Sequence, residues 1–374
     1  MLQPPPATPG MREDEVDTPA LLIDLDAFEH NLDLMARITR DGGIKLRPHA
    51  KTHKSPVIAH LQMARGAVGQ CVQKVAEAEI LAWGGVPDIL VSNEVVGASK
   101  LARFAALARI AKVAICVDHL AQIEALEAAA EAASTRLHAL LEIDVGMDRC
   151  GVQPGPEAVA LGQRIAASRH LIFTGLQAYH GRAQHKRGFA ERQDAIAHAA
   201  TVTAQTIDGL RKAGLHCAIV GGGGTGSYEF EIASGIYTEL QAGSYCFMDA
   251  DYGRNLDQTG APVSTFRQSL FVLASVMSRP RGGMAVIDAG LKAFAVDSGL
   301  PLVWQRPEIR FLSAADEHGK LEFSSETEAP KLGEKLRFVP GHCDPTVDRY
   351  DWYVGIRKGR VECLWPVAAR GAAT

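Results

Sequence analysis

Residues 45–54, with the sequence KLRPHAKTHK, carry side chains suited to covalent chemistry with a carbonyl compound. On an extended strand Arg47, His49 and Lys51 share one face, because side chains alternate along a strand. Three basic or titratable groups on one face are costly in an apolar core, so we expect that face to meet an anionic ligand. Desolvation of a lysine at the strand's C-terminal end lowers its pKa, which exposes an amine for Schiff-base formation. A solvated loop lysine is the alternative interpretation.

A run of four glycines, in the segment GGGGTGS of residues 221–227, follows a later predicted strand. Consecutive glycines let backbone N–H groups converge on an anion, and Thr225 and Ser227 add hydroxyl donors. The loop lacks the lysine of a nucleoside-triphosphate loop. We expect Tyr245, on the next predicted strand, to reach the same phosphate. A lysine near a phosphate site fits a phosphorylated cofactor, or a Schiff-base aldolase that acts on sugar phosphates.

His342 and Asp344 form an H-x-D pair between two further predicted strands. Imidazole and carboxylate together suit Mn²⁺, Mg²⁺, Ca²⁺ or Zn²⁺. On a strand the two side chains point the same way, so both can reach one ion while Cys343 faces away. Two protein ligands leave positions for water and substrate, as a catalytic ion requires. A turn with an Asx-type hydrogen bond explains the pair equally well.

The elements that must position these residues alternate between β-branched runs and Ala-rich helical stretches. Such units form parallel sheets covered by helices, and eight of them close a (β/α)₈ barrel of the TIM type. An open, doubly wound sheet is the alternative. Active sites of these barrels lie at the C-terminal strand ends, with phosphate sites often after strands seven and eight. The predicted strands are residues 45–51, 67–73, 88–93, 112–118, 137–144, 171–179, 216–221 and 239–247.

After residue 258, apolar and polar residues alternate in short runs separated by turns, which predicts an antiparallel β-domain. We expect a barrel at residues 27–257 and a second domain at residues 258–374 together with 1–26. The second domain carries the H-x-D pair. The strand predicted at residues 19–26 is expected to cross over and complete its sheet.

Composition limits the class of protein further. The chain has 374 residues, 47% of them hydrophobic, which allows a large core with a smaller second domain. A net charge of -4 without a basic stripe makes nucleic acid an unexpected partner. Seven scattered cysteines without a C-x-x-C pair indicate free thiols in a reducing compartment. Without a leader or a membrane-spanning run, we expect a cytoplasmic enzyme that acts on a small molecule.

Motifs along nearly the whole chain carry a family resemblance: DTPALLIDLDAFEHNL, LRPHAKTHK, CVQKVAEAE, VSNEVVG, EIDVGMDRCGV, GLQAYHG, GGGGTGS, TELQAGSYCFMDADYG, VIDAGLKA, DEHG and VPGHCDPTV. In them the sequence resembles the metal-activated D-threonine aldolases and D-3-hydroxyaspartate aldolases. These are fold-type III pyridoxal-phosphate enzymes related to alanine racemase. The resemblance implies a barrel with a C-terminal β-domain, a homodimer, pyridoxal 5'-phosphate and a divalent ion, with Mn²⁺ the first candidate.

The resemblance also implies a role for individual residues. Lys51 would carry the cofactor, and Arg149 would contact its phenolic oxygen. Gln177 and Tyr179 would line the cofactor ring. The phosphate would lie among Gly223, Gly224, Thr225, Gly226 and Tyr245. His342 and Asp344 would bind the metal ion, and His180 would act as the catalytic base.

The reaction that the resemblance implies is a carbon–carbon lyase reaction on D-β-hydroxy-α-amino acids, with D-threonine giving glycine and acetaldehyde. The stretches RPHAK and AYHG resemble the D-threonine enzymes, whereas DADYGR, AVDSGLP and GHCDPT resemble enzymes that cleave D-3-hydroxyaspartate to glycine and glyoxylate. A D-serine or D-hydroxyaspartate dehydratase is a further alternative. Those dehydratases usually have cysteine where this chain has Asp344, which favours an aldolase. A non-catalytic pyridoxal-phosphate carrier is another alternative. The second domain and the H-x-D pair argue against it, because a carrier needs neither.

Overall fold

The computed structural model describes residues 3–374, in which strand β1 (Ala20–Asp24) is followed by eight strands that pair in parallel. These are β2 (Lys45–Leu46), β3 (Gln70–Val72), β4 (Asp88–Glu94), β5 (Lys112–Val117), β6 (Leu137–Glu142), β7 (Leu171–Gln177), β8 (Ile219–Gly222) and β9 (Glu239–Leu240). Strands β3 to β9 pair in sequence order, and β9 pairs with β2. A bridge between His49 and Cys71 joins the chain after β2 to β3, so the predicted barrel closes.

Helices connect the barrel strands. They are α1 (Leu25–Asp41), α2 (Pro56–Met63), α3 (Val75–Trp83), α4 (Ala98–Leu107), α5 (Leu120–Ala132), α6 (Pro156–Ala166), α7 (Phe189–Lys212) and α8 (Tyr228–Ser234), with α9 (Cys343–Val347) further along the chain. Helix α1 shows why these segments are helical: Asp24 accepts a hydrogen bond from the N–H of Ala27 at 3.1 Å and caps its start. Its buried apolar residues recur every three or four positions and form one face: Leu25, Phe28, Leu32 and Met35. None of the helices in residues 3–374 is long and apolar enough to cross a membrane.

A second sheet contains β1 and the strands β10 (Leu270–Arg281), β11 (Met284–Ile287), β12 (Leu302–Val303), β13 (Ile309–Ala314), β14 (Gly319–Phe323), β15 (Lys335–Val339), β16 (Trp352–Arg357) and β17 (Arg360–Pro366). Its order is β13-β14-β11-β10-β1-β16-β17, with β15 pairing both β10 and β12. The predicted crossover of the N-terminal strand is confirmed, since β1 pairs with β10 and β16. The β1–β16 pair is parallel, which the prediction of an antiparallel domain did not include.

Arg47 does not face an anionic ligand, which corrects the prediction for the first barrel strand. Its Nε donates to Oε2 of Glu239 and its NH1 to Oδ1 of Asp88, each at 2.7 Å. The regular strand is also shorter than predicted and ends at Leu46. Inside the barrel two carboxylates therefore neutralise Arg47, and only His49 and Lys51 of the predicted face reach the rim.

Candidate active site

A cavity of about 450 Å³ lies at the C-terminal ends of the barrel strands, beside the start of α9. Volumes of about 300–1,000 Å³ are typical of small-molecule sites. Eight of the predicted site residues line it: Lys51, Arg149, Gln177, Tyr179, Gly224, Thr225, His342 and Asp344. Four others do not line it: His180, Gly223, Gly226 and Tyr245. The lysine, part of the glycine-rich loop and the H-x-D pair therefore share one cavity.

Lys51 lies in a turn after the extended segment that follows β2. The Ala50 carbonyl accepts from the N–H groups of His53 (3.1 Å) and Lys54 (2.7 Å) in this turn. The Lys51 Nζ donates to Oδ2 of Asp344 at 2.7 Å. The charge of Asp344 raises the pKa of Lys51 above its usual value, although burial acts in the opposite direction. The prediction of a lowered lysine pKa is wrong, because this carboxylate pairs with the ammonium.

His342 and Asp344 lie at the start of α9 and not on a strand, since β15 ends at Val339. His342 is extended (φ -144°, ψ 122°) and precedes the helix, and Asp344 lies in the first turn. The predicted strand geometry is therefore wrong, yet both side chains line the cavity while Cys343 is fully buried. Burial acts to raise the pKa of Asp344, but the charges of Lys51 and His342 hold it well below its usual range.

The donor set of the H-x-D pair fits a divalent ion. Within residues 3–374, no group of three or more His, Cys, Asp and Glu side chains is arranged to hold a metal. An ion at His342 and Asp344 would thus have two protein ligands and open positions for substrate. The Nδ1 atom of His342 lies 2.7 Å from Oδ2 of Asp297. This leaves Nε2 of His342 and the Asp344 carboxylate as donors, a combination that Mn²⁺ and related ions accept.

The glycine-rich loop contains a hydroxyl suited to an anion. The Oγ1 atom of Thr225 is buried without a hydrogen-bond partner in residues 3–374, and Thr225 and Gly224 line the cavity. An unpaired buried donor costs about 1–3 kcal/mol, which an anionic oxygen would remove. Ser227 does not share this role, because it accepts from Gln184 Nε2 (2.6 Å) and donates to Glu231 Oε1 (2.8 Å).

The other two predicted loop glycines support the turn from outside the cavity. The N–H of Gly226 donates to Oε1 of Gln184 at 2.9 Å. Gly223 has a φ of 76°, in the left-handed region that favours glycine. The side of the loop that faces the cavity is therefore limited to Gly224 and Thr225.

Tyr245 does not reach the cavity, contrary to prediction. It is buried, and its hydroxyl accepts from Gln62 Nε2 at 3.2 Å. The cause is that β9 ends at Leu240 and the chain then enters a 3-10 helix, so strand alternation no longer applies. Gly243 and Ser244 line the cavity instead.

Several polar side chains surround the centre of the cavity. The amides of Gln177 and Gln241 form two mutual hydrogen bonds of 2.8 Å, which fixes both side chains. Tyr179 is partly buried, and burial raises the pKa of its hydroxyl. Arg149, on the loop after β6, has an exposed side chain at the cavity rim. All of these groups line the cavity, where they could contact a flat polar ring.

His180, the predicted base, lies outside the cavity. It packs against Gly146, and its Nδ1 is buried without a partner in the described part of the chain. Burial lowers its pKa. His185, five residues further along, lines the cavity in its place. Its Nδ1 contacts Oδ2 of Asp251, so Nε2 is the nitrogen available to a ligand.

Asp251 fixes the His185 ring and is itself held in place. Its Oδ1 accepts hydrogen bonds from Arg187 and Arg254. Burial acts to raise the pKa of Asp251, but His185 and the two guanidinium groups hold it far below the usual range. The ring of Tyr252 lies 5.7 Å from the His185 ring, centroid to centroid. The arrangement is that of a histidine base oriented by an ionised carboxylate.

Sequence reasoning missed part of the cavity wall. The lining residues that it did not assign to the site are Thr52, Gln73, Ser92, Met147, Gly181, Arg182, His185, Gln241, Gly243, Ser244 and Tyr252. Asp251 and Tyr252 lie in the DADYG motif, which carries part of the family resemblance and so indicated that this segment contributes to the site. His185 lies in none of the motifs that carry the family resemblance, so only the fold connects it to Asp251.

Comparison with known proteins agrees with this architecture. The family model "Alanine racemase, N-terminal domain" matches residues 23–251, and the model "Putative serine dehydratase domain" matches residues 269–356. The 3-hydroxy-D-aspartate aldolase of Paracoccus denitrificans (strain Pd 1222) is 47% identical over 98% of this chain and 95% of that protein. The D-threonine aldolase of Arthrobacter sp is 45% identical over 98% of this chain and 96% of that protein.

A solved structure shows the same likeness in three dimensions. The crystal structure of the D-threonine aldolase from Filomicrobium marinum matches with a TM-score of 0.97 and 49% sequence identity. The match covers 100% of both chains. Both the barrel and the second sheet are therefore shared.

Proposed function

Because this chain belongs to the family of D-threonine aldolases and 3-hydroxy-D-aspartate aldolases, we propose that it cleaves the Cα–Cβ bond of D-β-hydroxy-α-amino acids, with D-threonine giving glycine and acetaldehyde. The observation that carries this proposal is one cavity that holds the amine of Lys51, the unpaired hydroxyl of Thr225 and the H-x-D pair. A lysine, an anion site and a candidate metal site are the parts that such an aldolase needs.

Pyridoxal 5'-phosphate fits the barrel side of the cavity. Lys51 would hold it covalently, and Thr225 would donate to its phosphate beside Gly224, Gly243 and Ser244. Gln177, Tyr179 and Arg149 would surround its ring. When bound, the cofactor supplies an electron sink for the carbanion left by bond cleavage.

A divalent ion fits His342 and Asp344, with Mn²⁺ the first candidate and Mg²⁺, Ca²⁺ or Zn²⁺ as alternatives. When bound, it lowers the pKa of the substrate β-hydroxyl. We assign removal of that proton to Nε2 of His185, with Asp251 holding the ring. His180 does not take this role, since it does not line the cavity.

One observation favours D-3-hydroxyaspartate as a second candidate substrate. Arg182 lines the cavity mouth and pairs with exposed Asp148 at 2.6 Å. A surface pair of this kind is worth at most about 1 kcal/mol, so a substrate carboxylate can replace Asp148. Arg182→Gln should then raise KM for D-3-hydroxyaspartate and leave KM for D-threonine unchanged. Equal effects on both substrates would exclude this role for Arg182.

Product identification tests the proposal. The purified protein, loaded with pyridoxal 5'-phosphate and Mn²⁺, is assayed with D-threonine, D-3-hydroxyaspartate and D-serine. We expect glycine and an aldehyde from the first two substrates. A keto acid and ammonia as the main products would instead identify a dehydratase and overturn the proposal.

A further inference from the structure

A carboxylate outside the cavity contacts one of the two candidate metal ligands. Oδ2 of Asp297 lies 2.7 Å from Nδ1 of His342, across 45 residues of sequence. The hydroxyl of Ser298 is further from the same nitrogen, at 3.4 Å. An ionised carboxylate only accepts hydrogen bonds, so Nδ1 carries the proton and Nε2 keeps its lone pair.

The loop that carries Asp297 is held closely against the H-x-D segment. A Cβ built at Gly341 would lie 2.0 Å from the Gly299 carbonyl oxygen, so only glycine permits this approach. The Ser298 carbonyl also accepts from NH2 of Arg254 at 2.6 Å. These contacts fix the Asp297 loop next to His342 without any contribution from the carboxylate itself.

We propose that Asp297 is a positioning residue, which sets the His342 tautomer and ring orientation so that Nε2 binds the divalent ion. The inference rests on the proposed function, because it assumes a metal ion at His342 and Asp344. Asp297 is about half exposed, so its hydrogen bond to the ring matters more than its screened charge. Loss of such an outer carboxylate typically weakens metal binding about 10–100-fold.

The test is a Mn²⁺ titration of the cofactor-loaded protein, with free Mn²⁺ followed by electron paramagnetic resonance. We expect Asp297→Ala to raise the Kd for Mn²⁺ about 10–100-fold. Asp297→Asn, which keeps an acceptor oxygen, should raise it less. Asp208→Asn removes the same charge from an exposed position on α7 and should leave the Kd unchanged. Excess Mn²⁺ should restore kcat in both Asp297 variants, which it would not do for a misfolded site.

The possible failures are distinguishable. If the unaltered protein does not bind Mn²⁺, the proposed metal site is wrong and the inference is lost with it. If the unaltered protein binds Mn²⁺ and Asp297→Ala binds it equally well, only the role of Asp297 is wrong. Melting temperature and cofactor absorbance report whether the alanine variant is folded. If the alanine variant is not folded, the Kd of Asp297→Asn for Mn²⁺ is compared with that of the unaltered protein instead.

Discussion

Lys51 and Asp344 are 293 residues apart in sequence, yet each is the other's counter-ion. Removing one partner leaves a poorly compensated charge, which destabilises a protein by several kcal/mol when the site is fully buried. Lys51 is only partly buried, so a smaller effect applies here. Any variant at either position therefore needs a measurement of folding beside the measurement of activity.

The assignment of the base separates two histidines that are five residues apart. His185→Gln removes the ring that Asp251 orients, so kcat should fall about 10²–10⁴-fold, the usual contribution of a general base. His180→Gln is the matched control and should keep most of the activity, because His180 lies outside the cavity. Steady-state kinetics with D-threonine provides the measurement. A larger loss for His180→Gln than for His185→Gln would reverse the assignment.

Among the secondary-structure elements, the sequence predicted the barrel and the crossover of β1 because both depend on hydrophobic periodicity. It failed at strand ends. Strand β9 stops at Leu240, and a 3-10 helix turns Tyr245 away from the cavity. The residue types alone identified the H-x-D pair. Its position at the start of a helix depends on packing in the folded chain, which no local sequence pattern encodes. His185 meets Asp251 only through the fold, so no sequence spacing could reveal the pair.

The turn after β9 should be sensitive to a single methyl group. A Cβ at Gly243 would lie 2.7 Å from the His49 carbonyl oxygen. Such overpacking costs about 1–3 kcal/mol. If the turn moves to relieve it, Gly243→Ala should weaken cofactor binding about tenfold or more. The Kd for pyridoxal 5'-phosphate is measured by absorbance titration. Gly253→Ala is the control, since a Cβ there meets nothing within 4 Å. Equal Kd values for the two variants would contradict the prediction.

Helix α8 carries a buried acid, Glu231, that should make stability depend on pH. Burial raises the pKa of Glu231 from 4.5 to about 7, although a hydrogen bond from Ser227 acts in the opposite direction. The folded chain then holds a proton that the unfolded chain releases. The free energy of unfolding should therefore decrease as pH rises through this interval.

Glu231→Gln stays uncharged and should lose this pH dependence. Near pH 8 it should be more stable than the unaltered protein, by up to about 3 kcal/mol at 1.36 kcal/mol per pKa unit. Near pH 5 the two proteins should differ little. Denaturant unfolding at both pH values checks this. A parallel pH dependence in the two proteins would show that Glu231 is not responsible.

For the whole molecule, the two sheets contribute different parts of one cavity. The barrel supplies Lys51 and the glycine-rich loop, whereas the segment between β15 and β16 supplies His342 and Asp344. The domain division at residue 257 stays a prediction, as do the homodimer and the cytoplasmic location. Limited proteolysis, light scattering and cell fractionation test these three in turn.

Because the cofactor residues and the metal ligands come from different parts of the fold, we expect that the metal ion can be removed while the cofactor stays bound. Exhaustive EDTA treatment should abolish cleavage of D-threonine, because a β-hydroxyl is then a poor proton donor. The absorbance of the lysine-bound cofactor should persist, since Lys51 and Thr225, which would hold the cofactor, are not ligands of the ion. Added Mn²⁺ should restore turnover. Full activity in EDTA would show that the ion has no role in the reaction.

The proposed reaction requires the amine of Lys51 to hold the cofactor, and borohydride reduction followed by peptide mass spectrometry tests this directly. Reduction converts the imine between an amine and pyridoxal 5'-phosphate into a stable adduct on that side chain. We expect the adduct on the peptide that contains Lys51, and none in Lys51→Ala. An adduct on a different lysine, or unchanged turnover in Lys51→Ala, would show that Lys51 does not carry the cofactor.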